Sequence, residues 1–234
     1  MWIFFIFIIL GFLPSLIWLS FYLKKDVHPE PKWMVLKIFL MGMILAGVVA
    51  FVEWEAFLFL EKFSLPYLLK VFFYFFVCVA FIEEFSKYLV FRIFVQNNIE
   101  FDEPIDAMIY MIIIGLGFVA IENILVLISE QFPNLVLQET FMLLFLRFIS
   151  ATLVHALASA NIGFFAALSF LKKRYFILWG GIVISSLLHG IYNLLIKLGG
   201  MWGLFVSFSI VVFLFVIILV ELKMIKKLKS ICKI

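Results

Sequence analysis

Charge is scarce in this sequence. Lysine, arginine, aspartate and glutamate make up 14% of its 234 residues, against 67% hydrophobic ones, whereas a soluble domain is about a quarter charged and half apolar. That shortage excludes an ordinary water-soluble fold. Cysteine is nearly missing too: Cys78 sits in an apolar run and Cys232 in a basic tail, so a disulfide framework is excluded and both thiols are expected reduced. Also absent are HExxH, GxSxG and P-loop signatures, internal repeats, low-complexity tracts and any polar stretch long enough for a second domain. The chain is therefore read as one integral membrane domain over residues 1–234. The first apolar run has no basic residues before it and no small-residue cleavage site, so it is expected to be a retained helix rather than a signal peptide.

What is present is a set of long apolar runs. About 20 apolar residues span the hydrocarbon core as a helix, and seven runs qualify: about 1–23, 37–60, 67–95, 105–129, 140–171, 175–197 and 202–222. Lipid offers no partner for open backbone groups, so these are helices, and the expected fold is all-α: a polytopic bundle of about seven transmembrane helices. Pro29, Pro31, Pro66, Pro104 and Pro133 fall between runs or at their edges, where proline does least harm. Lysine and arginine set the orientation. Lys24, Lys25, Lys32, Lys37, Arg92, Lys172, Lys173, Arg174, Lys223, Lys226, Lys227, Lys229 and Lys233 share one side; Lys62, Lys70 and Lys197 take the other. The N-terminus is thus expected outside and the C-terminus in the cytoplasm, with the acidic loop 96–104 as the feature that fits this least well. The basic tail reads as a membrane-surface feature, not a nucleic-acid patch.

Ionisable groups inside the spans need a reason, because each adds about 2.5–3.5 kcal/mol to the cost of insertion. The third run carries Glu83, Glu84 and Lys87; the fourth Glu122 and Asn123; the fifth Arg147 and His155; the sixth His189 and Asn193. Four helices thus present such groups at nearly one depth, which scattered structural salt bridges would not require. Lys87 lies four residues after Glu83 and three after Glu84, so it can neutralise one carboxylate and leaves the other. Two adjacent carboxylates in a poor dielectric do not easily both ionise, and acid–base catalysis uses such pairs. Ser185, His189 and Asn193 form one polar stripe, and Arg147, Ala151, His155 and Ser159 another. Gly115, Gly117, Ala156, Ala158, Ala160, Gly163 and Gly190 permit close helix approach. Arg147 is read as a structural partner for a carboxylate, Asn123 as a supporting or helix-bridging amide, and Glu53 and Glu55 as residues near the outer interface.

These blocks resemble the PrsW family of intramembrane proteases, related to the CAAX-protease and bacteriocin-processing superfamily. Glu83-Glu84-Phe85-Ser86-Lys87 is similar to its EExxK motif. Phe118 to Glu122-Asn123, after Gly115-Leu116-Gly117, is similar to FxxxEN. His155 with Gly163 resembles a third block, and His189-Gly190-Ile191-Tyr192-Asn193 a fourth of HxxxD/N type. Glu103-Pro104-Ile105-Asp106, and Asp26 with Glu30-Pro31, also match. The order holds from about residue 24 to 195.

The resemblance implies a glutamate-dependent intramembrane endopeptidase of the bacterial cytoplasmic membrane. Its expected partners are the bilayer and a membrane-anchored protein such as an anti-sigma factor, cut in its extracytoplasmic part. The expected catalytic set is Glu83, Glu84, Glu122, His155, His189 and Asn193, supported by Lys87, Asn123 and Arg147, with no cofactor. Glu83 is expected to be the base that activates water, with Glu84 held by Lys87. His189 and Asn193 are expected to donate to the oxyanion, and His155 with Glu122 to position water or relay a proton. Three readings compete: a zinc site of His155, His189 and Glu122 with one open position; a proton-coupled transporter; and a non-catalytic membrane scaffold.

Overall fold

The computed structural model describes residues 2–24, 29–131 and 136–228. Lys25, Asp26, Pro133, Lys229, Cys232 and Lys233, named above, lie outside the described residues. Within them the chain is helical, without strands: α1 (Trp2–Leu23), α2 (Lys32–Glu61), α3 (Tyr67–Phe72), a π-helical segment (Phe73–Phe81), α4 (Ile82–Phe94), α5 (Asp106–Gln131), α6 (Leu137–Ile149), α7 (Ala151–Lys172), α8 (Tyr175–Leu198) and α9 (Gly200–Ile225). The stretch from α3 through the π-helical segment to α4 runs without interruption. With α6 and α7 as one crossing, seven membrane-length helical units result, six of them apolar enough to be spans by composition alone. The seventh, Tyr67 to Phe94, carries Lys70, Glu83, Glu84, Lys87 and Arg92.

α5 is the central helix. Residues 110–120 are all buried, and the helix packs chiefly against α7, α2 and α1. Lipid is as apolar as leucine, so hydrophobicity alone does not drive helices together there; close backbone contact does. Gly115 supplies it at the site: a Cβ there would lie 2.8 Å from the His155 carbonyl oxygen and 2.6 Å from Ser159 Oγ. Gly163 meets Ala107 and Met108 in the same way one end further on. These two positions seat α7, and His155 with it, directly on α5. Between α7 and α8, Asn161 Nδ2 donates to Ser185 Oγ (2.9 Å), which donates to the Ala158 carbonyl (3.0 Å). Large side chains such as Leu36, Ile44, Phe51, Phe213 and Val216 are exposed at the bundle perimeter, as a lipid-facing surface requires.

Two departures from regular helix flank the centre. The fifth run, expected as one helix over 140–171, is interrupted at Ser150 (φ −128°, ψ −82°). Ser150 Oγ donates back to the Leu146 carbonyl (2.6 Å) and accepts from Tyr192 Oη (2.9 Å); a serine bonding its own preceding turn competes with the helix ladder and bends it. Arg147 and His155 therefore lie on two successive helices, α6 and α7, rather than on one unbroken helix, and both still reach Glu122. The second departure is the π-helical segment, whose widened turn ends at Phe81, two residues before Glu83. Such segments are rare and gather at functional sites.

Candidate active site

The ionisable residues of four spans converge on one buried network. Glu84 and Lys87 have no exposed surface, while His189, His155 and Glu83 are 1%, 2% and 5% exposed. The Lys87 ammonium is at the centre. Its Nζ donates to Glu84 Oε1 at 2.8 Å and Glu83 Oε2 at 3.2 Å, and lies 2.9 Å from His155 Nδ1. The Phe118 ring covers a further side, with its centroid 4.4 Å from Nζ.

Those contacts fix the proton positions on the imidazoles. An ammonium has only N–H donors, so His155 Nδ1 accepts, and the ring proton sits on Nε2. That nitrogen lies 2.6 Å from Glu122 Oε2, an ion-pair distance. Glu122 Oε1 accepts from Arg147 Nη2 at 2.8 Å, and Arg147 Nε donates to Asn123 Oδ1 at 2.5 Å. The path Lys87–His155–Glu122–Arg147–Asn123 thus crosses α4, α7, α5 and α6. On the other side, His189 Nδ1 lies 2.9 Å from Glu84 Oε1. The carboxylate can only accept, so Nδ1 carries the proton and Nε2 is left for other chemistry. The two imidazoles meet edge to face at 4.7 Å.

The structure brings Glu83, Glu84, Lys87, Glu122, Asn123, Arg147, His155 and His189 into this network. Asn193 stands apart from it: one turn beyond His189 in α8 and part-buried, with no side-chain hydrogen bond to any described residue. The two glutamates differ in how they are held. Glu84 Oε1 takes two bonds of 2.8 and 2.9 Å; Glu83 Oε2 has longer contacts, 3.2 Å to Lys87 and 3.5 Å to His155.

Glu53 of α2, read from the sequence as an interface residue, also belongs here. Its carboxyl lies within electrostatic reach of Glu83, Glu122 and Lys87, and its Oε1 is buried with no hydrogen-bond partner among the described residues. Its location on an acidic, lipid-facing stretch gave no signal of this; only the packing of α2 against α4 and α5 does.

Among the described residues, the donors spaced to hold a metal are Glu83, Glu84, His155 and His189, whose ligand atoms lie within 4.8 Å of one another. Glu122 is not one of them, so the expected zinc set of His155, His189 and Glu122 is not the one the fold assembles. By chemistry alone, two imidazoles and two carboxylates suit zinc. By arrangement they do not fit it. His155 has one nitrogen accepting from Lys87 and the other protonated towards Glu122, which leaves no lone pair for a metal. A dication about 4 Å from the ammonium would also meet about 8 kcal/mol of repulsion at an effective dielectric near 20.

Beside the network, a cavity of about 670 Å³ opens among α5, α6, α8 and α9, walled by Val126, Leu146, Arg147, Ser150, Tyr192 and Phe208 among others. Its lining is mostly apolar, and Arg147 joins it to Glu122.

Residues 30–220 match the family described as PrsW family intramembrane metalloprotease. Similar proteins include the protease PrsW of Geobacillus kaustophilus, 32% identical over 200 residues, which span 84% of this chain and 82% of that protein. The Bacillus subtilis protease PrsW is 32% identical over 196 residues, 82% of this chain and 83% of its own. The Clostridioides difficile protein of the same name is 26% identical over 222 residues, 92% and 89% of the two chains. No solved structure matches.

Proposed function

The chain belongs to the PrsW family of intramembrane proteases, and from that premise we propose that it cuts a membrane-anchored protein with water activated by Glu83. The observation that carries this reading is the unequal hold on the paired glutamates. Glu84 is fixed by both Lys87 and His189 at 2.8 and 2.9 Å, whereas Glu83 has longer contacts to Lys87 and His155 and has the Glu53 carboxyl as an electrostatic neighbour.

In this mechanism Glu83 takes a proton from water as its oxygen attacks the scissile carbonyl, and gives it to the amine as the C–N bond breaks. One water and one peptide bond yield one carboxylic acid and one amine. Asn193 has an unengaged amide and donates to the developing oxyanion, the kind of stabilisation that is worth most in acyl transfer. The expected donor role of His189 is narrower than the sequence implied: its Nδ1–H is engaged by Glu84, so it donates from Nε2 only when doubly protonated. The His155–Glu122 pair, tied to Arg147, holds the imidazole in one tautomer beside the base. No step passes through a metal. The apolar cavity beside Arg147 receives the substrate's apolar segment.

The substrate is read as a membrane-anchored protein such as an anti-sigma factor, and the location as a bacterial cytoplasmic membrane with the N-terminus outside. The family resemblance and the lysine and arginine asymmetry support these assignments.

The test is cleavage of a panel of single-span membrane proteins by purified, reconstituted protein, wild type beside Glu83→Gln and Glu84→Gln. General-base catalysis contributes about 10²–10⁴-fold, so Glu83→Gln is expected to lose at least about a hundredfold while remaining folded. Full activity in both variants would end the glutamate mechanism.

A further inference from the structure

We infer that Lys87 is a built-in cation standing where a metal ion would otherwise sit, and that removing its charge turns the cluster into a divalent-cation site. The inference deepens the protease reading and rests on it for the purpose of the site, though not for its geometry.

An ammonium has three N–H donors, and Lys87 finds three acceptors: Glu84 Oε1 at 2.8 Å, His155 Nδ1 at 2.9 Å and Glu83 Oε2 at 3.2 Å. The Phe118 ring closes a further side. Every donor is used, and the side chain is wholly buried, so the charge is ligated by its surroundings much as an ion is. The three acceptors belong to three of the four residues spaced to hold a metal; the fourth, His189, reaches the same Glu84 oxygen at 2.9 Å. Lysine and metal therefore compete for the same lone pairs. At His155 the competition is absolute, because an imidazole nitrogen has a single in-plane lone pair.

Taking the lysine away reverses each of these terms. His155 Nδ1 becomes free to ligate, both carboxylates lose their counter-charge, and four donors of a kind zinc prefers face a space the side chain has vacated. A buried pair of carboxylates without a cation is strongly unfavourable, so the altered site has reason to recruit one. Lys87→Arg keeps the charge and is expected to keep metal out.

The experiment uses the full-length protein in lipid nanodiscs, incubated with zinc, freed of unbound metal, and assayed for zinc per chain. Wild type and Lys87→Arg are expected to hold none. Lys87→Leu is expected to hold about one zinc and to lose it when His189→Ala is added. Zinc at about one per chain in the wild type overturns the inference, and so does a folded Lys87→Leu that binds none. If Lys87→Leu does not insert, Lys87→Gln, which removes the charge but keeps a polar side chain, carries the same expectation. If neither folds, the wild-type zinc content decides alone, in the same sense. Cleavage is measured on the same samples: an inactive, zinc-free wild type would count against the protease reading and not against the resident cation, whereas a zinc-bound, active wild type would do the opposite.

Discussion

At the scale of single residues, the chemistry depends on which polar atoms already have partners. Glu84, His155 and Lys87 are tied together through the ammonium, and the groups left with unused capacity are Glu83, Asn193, His189 Nε2 and the buried oxygens Glu53 Oε1, Glu84 Oε2 and Glu122 Oε2. Glu53 Oε1 leads to a prediction. A buried carboxylate oxygen without a partner, within electrostatic reach of the base, is placed to hold the attacking water. A hydrogen bond to a charged group is worth about 1.5–3 kcal/mol, or roughly ten- to a hundredfold in rate. Glu53→Leu is expected to reduce turnover by that factor with normal insertion, and Glu53→Gln, which keeps one acceptor, by less. Unchanged turnover in both would return Glu53 to the interface role that the sequence suggested. Glu83, Glu84, Lys87, Glu122, His155 and His189 were legible in the sequence because charge inside an apolar run is conspicuous and helical spacing says which pairs meet. Glu53 was not, since spacing measures distance along a helix and not across a tilted one. Imidazole tautomers were equally out of reach, because they follow from contacts between helices far apart in the chain.

Elements carry these residues to one point, and the irregular ones matter most. Apolar length located the outer ends of each membrane-length helical unit to within a few residues, apart from the early start of α2 at Lys32 rather than near 37. Hydropathy has no term for a π-helical turn or for a serine that bends its own helix, so the segment Phe73–Phe81 and the break at Ser150 were invisible. The π-helical segment packs against α8, where the Phe76 ring lies close over Gly190, next to His189. It sets the rotation at which α4 presents Glu83, Glu84 and Lys87. Deleting one residue inside it, such as Val77, would change the rotation of the following helix relative to α3 and point the glutamates away from His155 and His189. The expected result is a protein that inserts in normal amount and cleaves nothing; retained cleavage would show that the π-helical turn is incidental to the site.

At the scale of the whole molecule, function depends on which way the bundle sits in the membrane. Counted over all spans, thirteen basic residues fall on one side and three on the other, and the positive-inside rule turns that asymmetry into an orientation. The acidic loop 96–104 does not offset it, since acidic residues contribute little to the rule. Orientation decides access. The cavity beside Arg147 is walled by Val126 and Glu130 late in α5, Leu143 and Leu146 of α6, and Met201 and Leu204 early in α9, all in the half of the bundle that faces outward if the N-terminus is outside. A substrate would then be engaged and cut towards its extracytoplasmic side. Reporter fusions decide the matter. A phosphatase that is active only when exported is expected to be active when joined after Ser64 and inactive after Asn98, and a cytoplasmic fluorescent reporter to give the reverse. If both reporters gave the opposite pattern, the same cavity would open towards the cytoplasm. The enzyme would then cut from inside, and an extracytoplasmic site on an anchored signalling protein could no longer be its substrate.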